Sequence, residues 1–357
     1  MADDVFAQSD HSPVATKNTM LTKIIIERFY NHGVTHVPVD VSEAFWKTIA
    51  LEEKPQEEYH VDEIKPIINK KLREEALDGI RRMFDAVKNG TENMTTAYQV
   101  VKEVNTIVDQ LVDTLEKESN SLVHITDLKS YDEYTYHHSL SVAVLSIAIA
   151  QSLGLSGEQL RSIGRCGMLH DIGKILLPVD IINKPRRLNN TEFYIVKQHS
   201  KKGYDYLRKG KIEDETIRQG ILCHHEKIDG TGYPNGLRGK ELPLFARIVT
   251  VADVYDAVTS YRPYRKPMSP AEAIEIIMSE VGCAFDYEVV IAFISKLELY
   301  PINSRVELSN KRRGIVIDNT YPMRPLLKMT DNGETVNLMA LNNLSLVIVN
   351  LLNSEDI

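Results

Sequence analysis

Cysteine is scarce in this sequence, with three residues among 357, and no two of them form a CxxC pair. Neither a disulfide framework nor a zinc ribbon is therefore indicated, and a reducing compartment is favoured. Long apolar runs are also missing, because the most apolar stretch, residues 142–150, is about half of the ~20 residues that a membrane-spanning helix needs. Residues 1–21 lack the basic start and apolar stretch of a secretory signal and are predicted to form a flexible tail. We therefore expect a soluble, cytoplasmic protein.

An excess of positive charge is absent as well. The chain has 42 Lys and Arg against 50 Asp and Glu, a formal net charge of -8 and a pI near 5.8. Duplex nucleic acid and anionic membranes are bound by Lys and Arg that displace counterions, so neither partner is expected. No strand is followed by GxGxxG, and no P-loop or GxSxG occurs. The common signatures of dinucleotide-binding proteins, nucleoside triphosphatases and serine hydrolases are thus excluded.

Helical periodicity is the main pattern that is present. With 43% hydrophobic residues, a chain of this length can bury at least one sizeable core, and two or three domains are expected. From residue 129 to about residue 297 the pattern is mostly helical, with apolar stripes at helical spacing. They cover residues 141–155, 157–172, 191–207, 215–225, 246–260 and 270–279. We predict an all-α domain over residues 121–300.

Residues 22–120 are predicted to form an N-terminal regulatory or dimerisation region, with no fold assigned to residues 22–66. A first helix is predicted from apolar residues at helical spacing, Leu72, Ala76, Ile80, Met83 and Val87. A second stripe alternates steps of three and four residues, through Met94, Ala97, Val101, Val104, Val108, Leu111 and Leu115. Such a stripe forms a short coiled coil and a homodimer contact, or packs against the helical domain that follows. The sequence leaves both interpretations open.

Residues 301–357 have a different pattern. Short β-like runs occur at residues 305–308, 314–318, 326–329 and 344–349, with turn residues at 331–333. We predict a small β-rich extension. The predicted fold class is therefore mainly α, a helical catalytic bundle with a partly helical N-terminal module and a small C-terminal β appendage.

The strongest local signal for chemistry is the pentapeptide of residues 170–174, His-Asp-Ile-Gly-Lys, at the end of an apolar helix. Adjacent imidazole and carboxylate groups at His170 and Asp171 suit two metal ions, with Asp171 as the bridge. The same five residues are also consistent with an ordinary helix end, in which Gly173 is a C-cap and Asp171 and Lys174 are in solvent. The pentapeptide alone does not separate these interpretations.

Other potential ligands in the same domain change that balance. Each of them alone has an ordinary structural explanation, because a single helix histidine is more often a satisfied core or surface residue than a metal ligand. Together with the His-Asp pair they provide seven nitrogen and oxygen ligands, enough for two metals that share a carboxylate. The seven residues are His138, His170, Asp171, His199, His224, His225 and Asp253.

The order of these residues, with the string HHEKIDGTGYPNGL at 224–237, resembles the HD-GYP family, a branch of the HD superfamily of metal-dependent phosphohydrolases. The resemblance covers roughly residues 129–297, and the long string is far more specific than the His-Asp pair. It implies an all-α HD fold and a cyclic di-GMP phosphodiesterase, with Asp171, Lys174 and Asp253 as catalytic residues.

The resemblance also implies how the ligands divide. His138, His170, Asp171 and Asp253 would hold one metal, and Asp171, His199, His224 and His225 the other. Some family members carry a glutamate four residues before the first ligand histidine and bind a third metal, but Tyr134 occupies that position here. Two divalent ions are therefore expected, iron or manganese.

A cyclic dinucleotide is a dianion, so its phosphates need cations and its bases need stacking surfaces. Lys174 can neutralise the phosphate beside the metals. The resemblance adds further substrate contacts at Tyr233 and Pro234 of the loop, at the basic Arg262 and Arg265, and at the acidic Asp132 and Asp256. A solvated loop is the ordinary explanation of the two arginines.

The implied reaction is in-line attack of hydroxide on phosphorus, which opens cyclic di-GMP to pGpG and then yields GMP. Two alternatives stay open. One is the same chemistry on cyclic GMP-AMP, which differs in one base. The other is a non-catalytic cyclic dinucleotide sensor or adaptor, whose loop at residues 229–236 binds a diguanylate cyclase.

Overall fold

The structure is a computed structural model that describes residues 5–6, 13–15, 68–89, 94–117, 123–124, 134–182, 184, 186–209, 214–260, 267–321 and 323–352. The predicted site residues Asp132, Arg262 and Arg265 lie outside these ranges, as do residues 22–66. The described chain is mainly α, as predicted. None of the described helices is long and apolar enough to cross a membrane.

Ten α-helices lie in the described part of the chain. They are α1 (Lys70–Asn89), α2 (Met94–Lys117), α3 (Tyr134–Ser152), α4 (Glu158–Leu169), α5 (Val179–Ile182), α6 (Asn190–Lys209), α7 (Glu215–Cys223), α8 (Leu244–Thr259), α9 (Pro270–Ser279) and α10 (Tyr287–Ser295). A 3-10 helix, Ile172–Leu176, follows α4. Five of the six predicted helical stripes differ from the observed helices at one or both ends, and the stripe at 270–279 coincides with α9.

One compact unit comprises residues 67–268 and 276–296. Helix α3 lies at its centre and packs against α1, α4, α8 and α10. Residues 138–150 of α3 are buried on all sides, which explains why this is the most apolar run of the sequence. The core of this unit is therefore built around the helix that carries His138.

The apolar stripe of α2 is buried within the chain. Val104, Val108, Leu111 and Leu115 are at most 2% exposed, and α2 packs against α1, α3 and α4. Arg161 of α4 adds an ion pair across this contact, because its guanidinium lies 3.0 Å and 3.5 Å from Asp113 and Asp109 of α2. Of the two interpretations of this stripe, packing on the helical domain is the one that the structure favours, and the homodimer stays a prediction.

The C-terminal segment forms a five-stranded antiparallel sheet. Its strands are β5 (Arg305–Leu308), β6 (Arg313–Asp318), β7 (Leu326–Met329), β8 (Thr335–Asn337) and β9 (Ile348–Leu352). Their order in the sheet is β8-β7-β6-β5-β9. The short strands β1 (Val5–Phe6), β2 (Pro13–Ala15), β3 (Val123–His124) and β4 (Leu297–Glu298) precede them. The predicted β-rich extension is thus confirmed, whereas the domain boundaries at 121 and 301 stay predictions.

The last strand does not begin where its apolar pattern predicts. A strand was expected at residues 344–349, but β9 starts at Ile348. The guanidinium of Arg324 donates to the backbone carbonyls of Leu338, Leu344 and Leu346, at 2.9 to 3.4 Å. Because these carbonyls are already bonded to a side chain, the segment before β9 turns instead of joining the sheet.

Candidate metal centre

All seven predicted ligand side chains converge in the helical unit. His138 lies on α3, His170 and Asp171 follow α4, His199 lies on α6, His224 and His225 follow α7, and Asp253 lies on α8. Their ligand atoms form three overlapping groups in which all atoms lie within 4.8 Å of one another. The fold therefore collects residues up to 115 positions apart in the sequence, from His138 to Asp253, into one buried cluster.

Asp171 lies between two sets of imidazoles, with one carboxylate oxygen toward each. Its Oδ2 is 3.4 Å from Nε2 of His170 and 3.6 Å from Nε2 of His138. Its Oδ1 is 3.4 Å from Nε2 of His199 and 4.0 Å from Nε2 of His224. This is the arrangement of a carboxylate that can bridge two ions.

The set on the Oδ2 side is completed by a second carboxylate. Oδ1 of Asp253 is 3.3 Å from Nε2 of His138 and 3.8 Å from Nε2 of His170. We call His138, His170 and Asp253, with Oδ2 of Asp171, the carboxylate half of the centre.

The set on the Oδ1 side contains three imidazoles and no carboxylate of its own. Nε2 of His199 is 3.3 Å from Nε2 of His224 and 3.2 Å from Nε2 of His225. Ligands bound at about 2.1 Å to one ion lie roughly 3 to 3.5 Å from each other, so these separations suit a shared cation. We call His199, His224 and His225, with Oδ1 of Asp171, the imidazole half.

Hydrogen bonds at the other ring nitrogen set the tautomers. Nδ1 of His170, His199 and His224 each lies 2.7 Å from the backbone carbonyl oxygen three residues earlier. A carbonyl only accepts, so each Nδ1 carries the proton, and in the neutral ring Nε2 keeps its lone pair for a metal. His138 is held differently, because its Nδ1 lies 2.7 Å from Oδ2 of Asp256.

The ligand atoms of the centre are arranged to bind a divalent cation and not to hydrogen-bond to one another. Lone pairs on Nε2 of His199 and His224 face each other and Oδ1 of Asp171 without a proton between them. Among the described residues, Nε2 of His170 and Oδ1 of Asp171 are buried and have no hydrogen-bond partner. Buried polar atoms without partners are costly, and a metal ion is the group that satisfies several of them at once.

The two halves differ in electrostatics. Burial by itself lowers the pKa of His138, but hydrogen bonds to Asp171, Asp253 and Asp256 raise that pKa well above its ordinary value. In the imidazole half, burial lowers the pKa of His225 to about 3, and burial together with neighbouring imidazoles holds the pKa of His224 well below its usual range. The three imidazoles of this half are therefore neutral at physiological pH and ready to donate lone pairs.

The close approach of two segments requires glycine at position 173. Gly173 does not cap α4, since that helix ends at Leu169 and Gly173 lies in the following 3-10 helix. A Cβ at this position would lie 1.9 Å from the backbone oxygen of His199. The absence of a side chain thus allows the segment after Asp171 to touch α6, which brings His199 to the bridging carboxylate.

A buried glutamate organises the loop that follows the two adjacent histidines. Glu226 is 0% exposed, and its carboxylate accepts the backbone N–H groups of Asn235 at 2.6 Å, Gly236 at 3.1 Å and Leu237 at 3.2 Å. No sequence pattern predicted this role of Glu226. The only signal in the sequence was the position of Glu226 directly after two histidines.

Tyr233 lies against the imidazole half. Its ring stacks on His225 with centroids 4.8 Å apart and an interplanar angle of 29°, and its backbone N–H donates to the carbonyl of His225 at 3.1 Å. The peptide bond between Tyr233 and Pro234 is cis. The loop that is predicted to contact the substrate therefore packs directly against His225, a candidate metal ligand.

Two further predicted residues lie at the carboxylate half. Nζ of Lys174 is 2.5 Å from Oδ2 of Asp171 and its side chain is partly exposed. Asp256 is buried behind His138 and also accepts from Oγ of Ser260 at 3.2 Å. Asp256 thus orients His138, a role that the sequence did not predict. Its contact with a substrate stays a prediction.

The fold and the site together define a mainly α protein with a candidate two-metal centre of histidine and aspartate ligands. Residues 119–289 match the model of the HD domain family.

Comparison with known proteins gives relatives of two named specificities. The chain is 41% identical over 212 residues to a cyclic di-GMP phosphodiesterase of Pseudomonas aeruginosa, a match that covers 59% of this chain and 51% of the relative. It is 37% identical over 167 residues to 3'3'-cGAMP-specific phosphodiesterase 1 of Vibrio cholerae, covering 45% of this chain and 37% of the relative. The chain thus spans about half, or less, of the length of these curated relatives.

A solved structure is also similar. It is an HDG"Y"P protein of Bdellovibrio bacteriovorus, with a TM-score of 0.46 and 22% sequence identity over 62% of this chain and 69% of that chain.

Proposed function

We propose that this protein is a metal-dependent phosphodiesterase that hydrolyses cyclic di-GMP to pGpG and then to GMP. The observation that carries the proposal is the placement of Asp171 between two sets of imidazoles, with one oxygen toward each set. The named activity of the Pseudomonas aeruginosa relative supports the choice of substrate.

In this proposal two divalent ions, iron or manganese, are held by the seven ligand residues. The carboxylate half would hold one ion and the imidazole half the other, with Asp171 offering an oxygen to each. Such a pair of ions supplies a water of lowered pKa and positive charge for the phosphoryl oxygens. Nitrogen and oxygen donors of this mixture suit iron and manganese better than thiolate-preferring metals.

The remaining residues position a metal ligand, neutralise the phosphate charge or contact the substrate. Lys174, whose ammonium is beside Asp171, stabilises the negative charge on the reacting phosphate. Asp256 holds His138 in the orientation that directs Nε2 toward the centre. Asp132, Tyr233, Pro234, Arg262 and Arg265 are the proposed substrate contacts, and Asp256 is retained among them from the family resemblance.

A second candidate substrate is cyclic GMP-AMP, because the Vibrio cholerae relative is named for that specificity. The two dinucleotides share their phosphates and differ in one base, so the same metal centre serves both. The non-catalytic adaptor that binds a diguanylate cyclase is less favoured, since all seven ligand positions are filled and brought together.

The test is anaerobic purification with metal analysis, followed by chromatography of cyclic di-GMP and of cyclic GMP-AMP incubated with wild type and with Asp171→Ala. We expect about two metals per chain, product from the wild type, and no product from the variant, because Asp171 serves both halves. Two bound metals with neither dinucleotide cleaved would refute the substrate assignment. A metal-free, inert wild type would favour the adaptor.

A further inference from the structure

Lys197 lies beside the candidate centre without being part of it. It is on α6, two residues before His199, and its Nζ lies 4.8 Å from the centroid of the Tyr233 ring and 4.9 Å from that of Phe193. Tyr233 in turn stacks on His225. A continuous row of contacts therefore leads from a candidate metal ligand, through Tyr233 and Lys197, to Phe193.

The charge of Lys197 is not balanced in the way that nearby lysines are. Lys174 lies 2.5 Å from Asp171, Lys184 pairs with Glu192, and Lys201 lies 2.7 Å from Asp205. For Lys197, the part of the chain that the structure describes offers two aromatic rings and no ion pair. Aromatic rings hold an ammonium in place through their quadrupole, but they leave its full positive charge available to an anion.

Phe193 provides a different surface at the end of the same row. Its ring is 47% exposed although it lies one helical turn from Lys197, on the same face of α6. Exposed aromatic faces next to a cation are the usual platform for a nucleobase attached to a phosphate, because every base has a face that stacks. One helix face thus presents a cation and a stacking ring together.

A cyclic dinucleotide contains a phosphate and a base that such a helix face can bind. Its two phosphodiesters lie on opposite sides of one ring, so only one of them can occupy the reacting position. Lys174 and the metal ligands account for that phosphate, whereas the second phosphate and its base extend away from the centre and need a cation and a stacking surface.

We propose that Phe193 and Lys197 form a subsite for the part of the substrate that does not react, in which Lys197 binds the second phosphate and Phe193 stacks the adjoining base. This proposal rests on the proposed function, since it assumes a cyclic dinucleotide. It makes Lys197 a residue that determines substrate size and affinity and takes no part in bond cleavage.

The experiment compares two substrates in Lys197→Met, which keeps the apolar stem and removes the charge. Cyclic di-GMP fills both positions, whereas bis(p-nitrophenyl) phosphate is a diester with no second phosphate. We expect the KM for cyclic di-GMP to rise about tenfold to a hundredfold, as for loss of a hydrogen bond to a charged group, with kcat nearly unchanged. Hydrolysis of the small diester and the metal content should match the wild type, and Lys197→Arg should restore most of the affinity.

Lys202→Met is the matched control, because it removes an exposed charge from the same helix and should leave both substrates unaffected. Calorimetric titration with a non-hydrolysable phosphorothioate analogue of cyclic di-GMP gives a readout that does not depend on turnover. The dissociation constant should rise in Lys197→Met by the same factor as KM.

Two results would overturn the subsite. An unchanged KM and dissociation constant would show that no phosphate reaches Lys197, and an equal loss on both substrates would make Lys197 a support of the centre through Tyr233. A wild type that cleaves the small diester but neither binds nor cleaves cyclic di-GMP would instead refute the proposed function, and the subsite with it.

Discussion

The two halves of the candidate centre differ in how His138 and His225 are held, although a backbone carbonyl orients His170 as it does His199 and His224. In the carboxylate half, the Nδ1 of His138 is bonded to the carboxylate of Asp256, and Asp253 adds a second acid. In the imidazole half, His199 and His224 are oriented by backbone carbonyls, and His225 is covered by the ring of Tyr233. One half is therefore rich in negative charge, and the other is neutral apart from the shared Asp171.

This difference implies that two ions bound here would not be equivalent. Carboxylate oxygens favour harder ions such as manganese, whereas imidazoles favour iron and other later transition metals. The carboxylate half depends on a distant side chain for the orientation of His138, and the imidazole half depends on local backbone and on the loop that Glu226 organises. Substitutions should accordingly affect the halves separately.

The largest expected effect separates the halves directly. His138→Ala and His225→Ala each remove one ligand that belongs to a single half, so each should lose about one metal equivalent and retain the other. Turnover should fall roughly a thousandfold or more in both, since each ion contributes several kcal/mol to transition-state stabilisation. Inductively coupled plasma mass spectrometry of the purified variants measures the metal content. Loss of both ions from either variant would mean that the halves bind as one unit.

A smaller effect is expected at the residue that orients His138. Asp256→Asn keeps the shape and weakens the hydrogen bond to Nδ1, so affinity at the carboxylate half should fall about tenfold to a hundredfold. Competition with a fluorescent chelator measures that affinity. Asp286→Asn is the control, because Asp286 pairs with Arg247 and caps α10 away from the ligands. An equal loss of metal affinity at the imidazole half in Asp256→Asn would show that the two halves do not respond separately.

The smallest effect concerns the loop at the imidazole half. Glu226→Gln removes a buried charge that accepts three backbone N–H groups, at a cost of about 1 to 3 kcal/mol. Amide hydrogen exchange at residues 235–237 should accelerate roughly tenfold to a hundredfold, while the metal ligands stay in place. Glu241→Gln, an exposed change in the same segment, should have little effect on these amides. Unchanged amide exchange in Glu226→Gln would show that Glu226 does not hold the loop at the imidazole half.

Much of the architecture follows from local patterns. The spacing of Leu72 to Val87 predicted α1, and the runs at 305–308 and 326–329 coincide with β5 and β7. The strand β8 and the helix α10 were not predicted. Three residues in β8 are too few for a clear period, and tertiary packing decides such a short element.

The sequence alone predicted the composition of the candidate centre, because its histidines and aspartates share one domain and the string at 224–237 is specific. The tertiary structure decided what those letters could not. It turned one oxygen of Asp171 toward each of the two ligand sets that the resemblance implies, and it placed Asp256 behind His138 across 118 positions. It also showed that Gly173 is required by the backbone of His199. Helical periodicity reports only neighbours three or four residues away, whereas these contacts arise from the packing of separate helices.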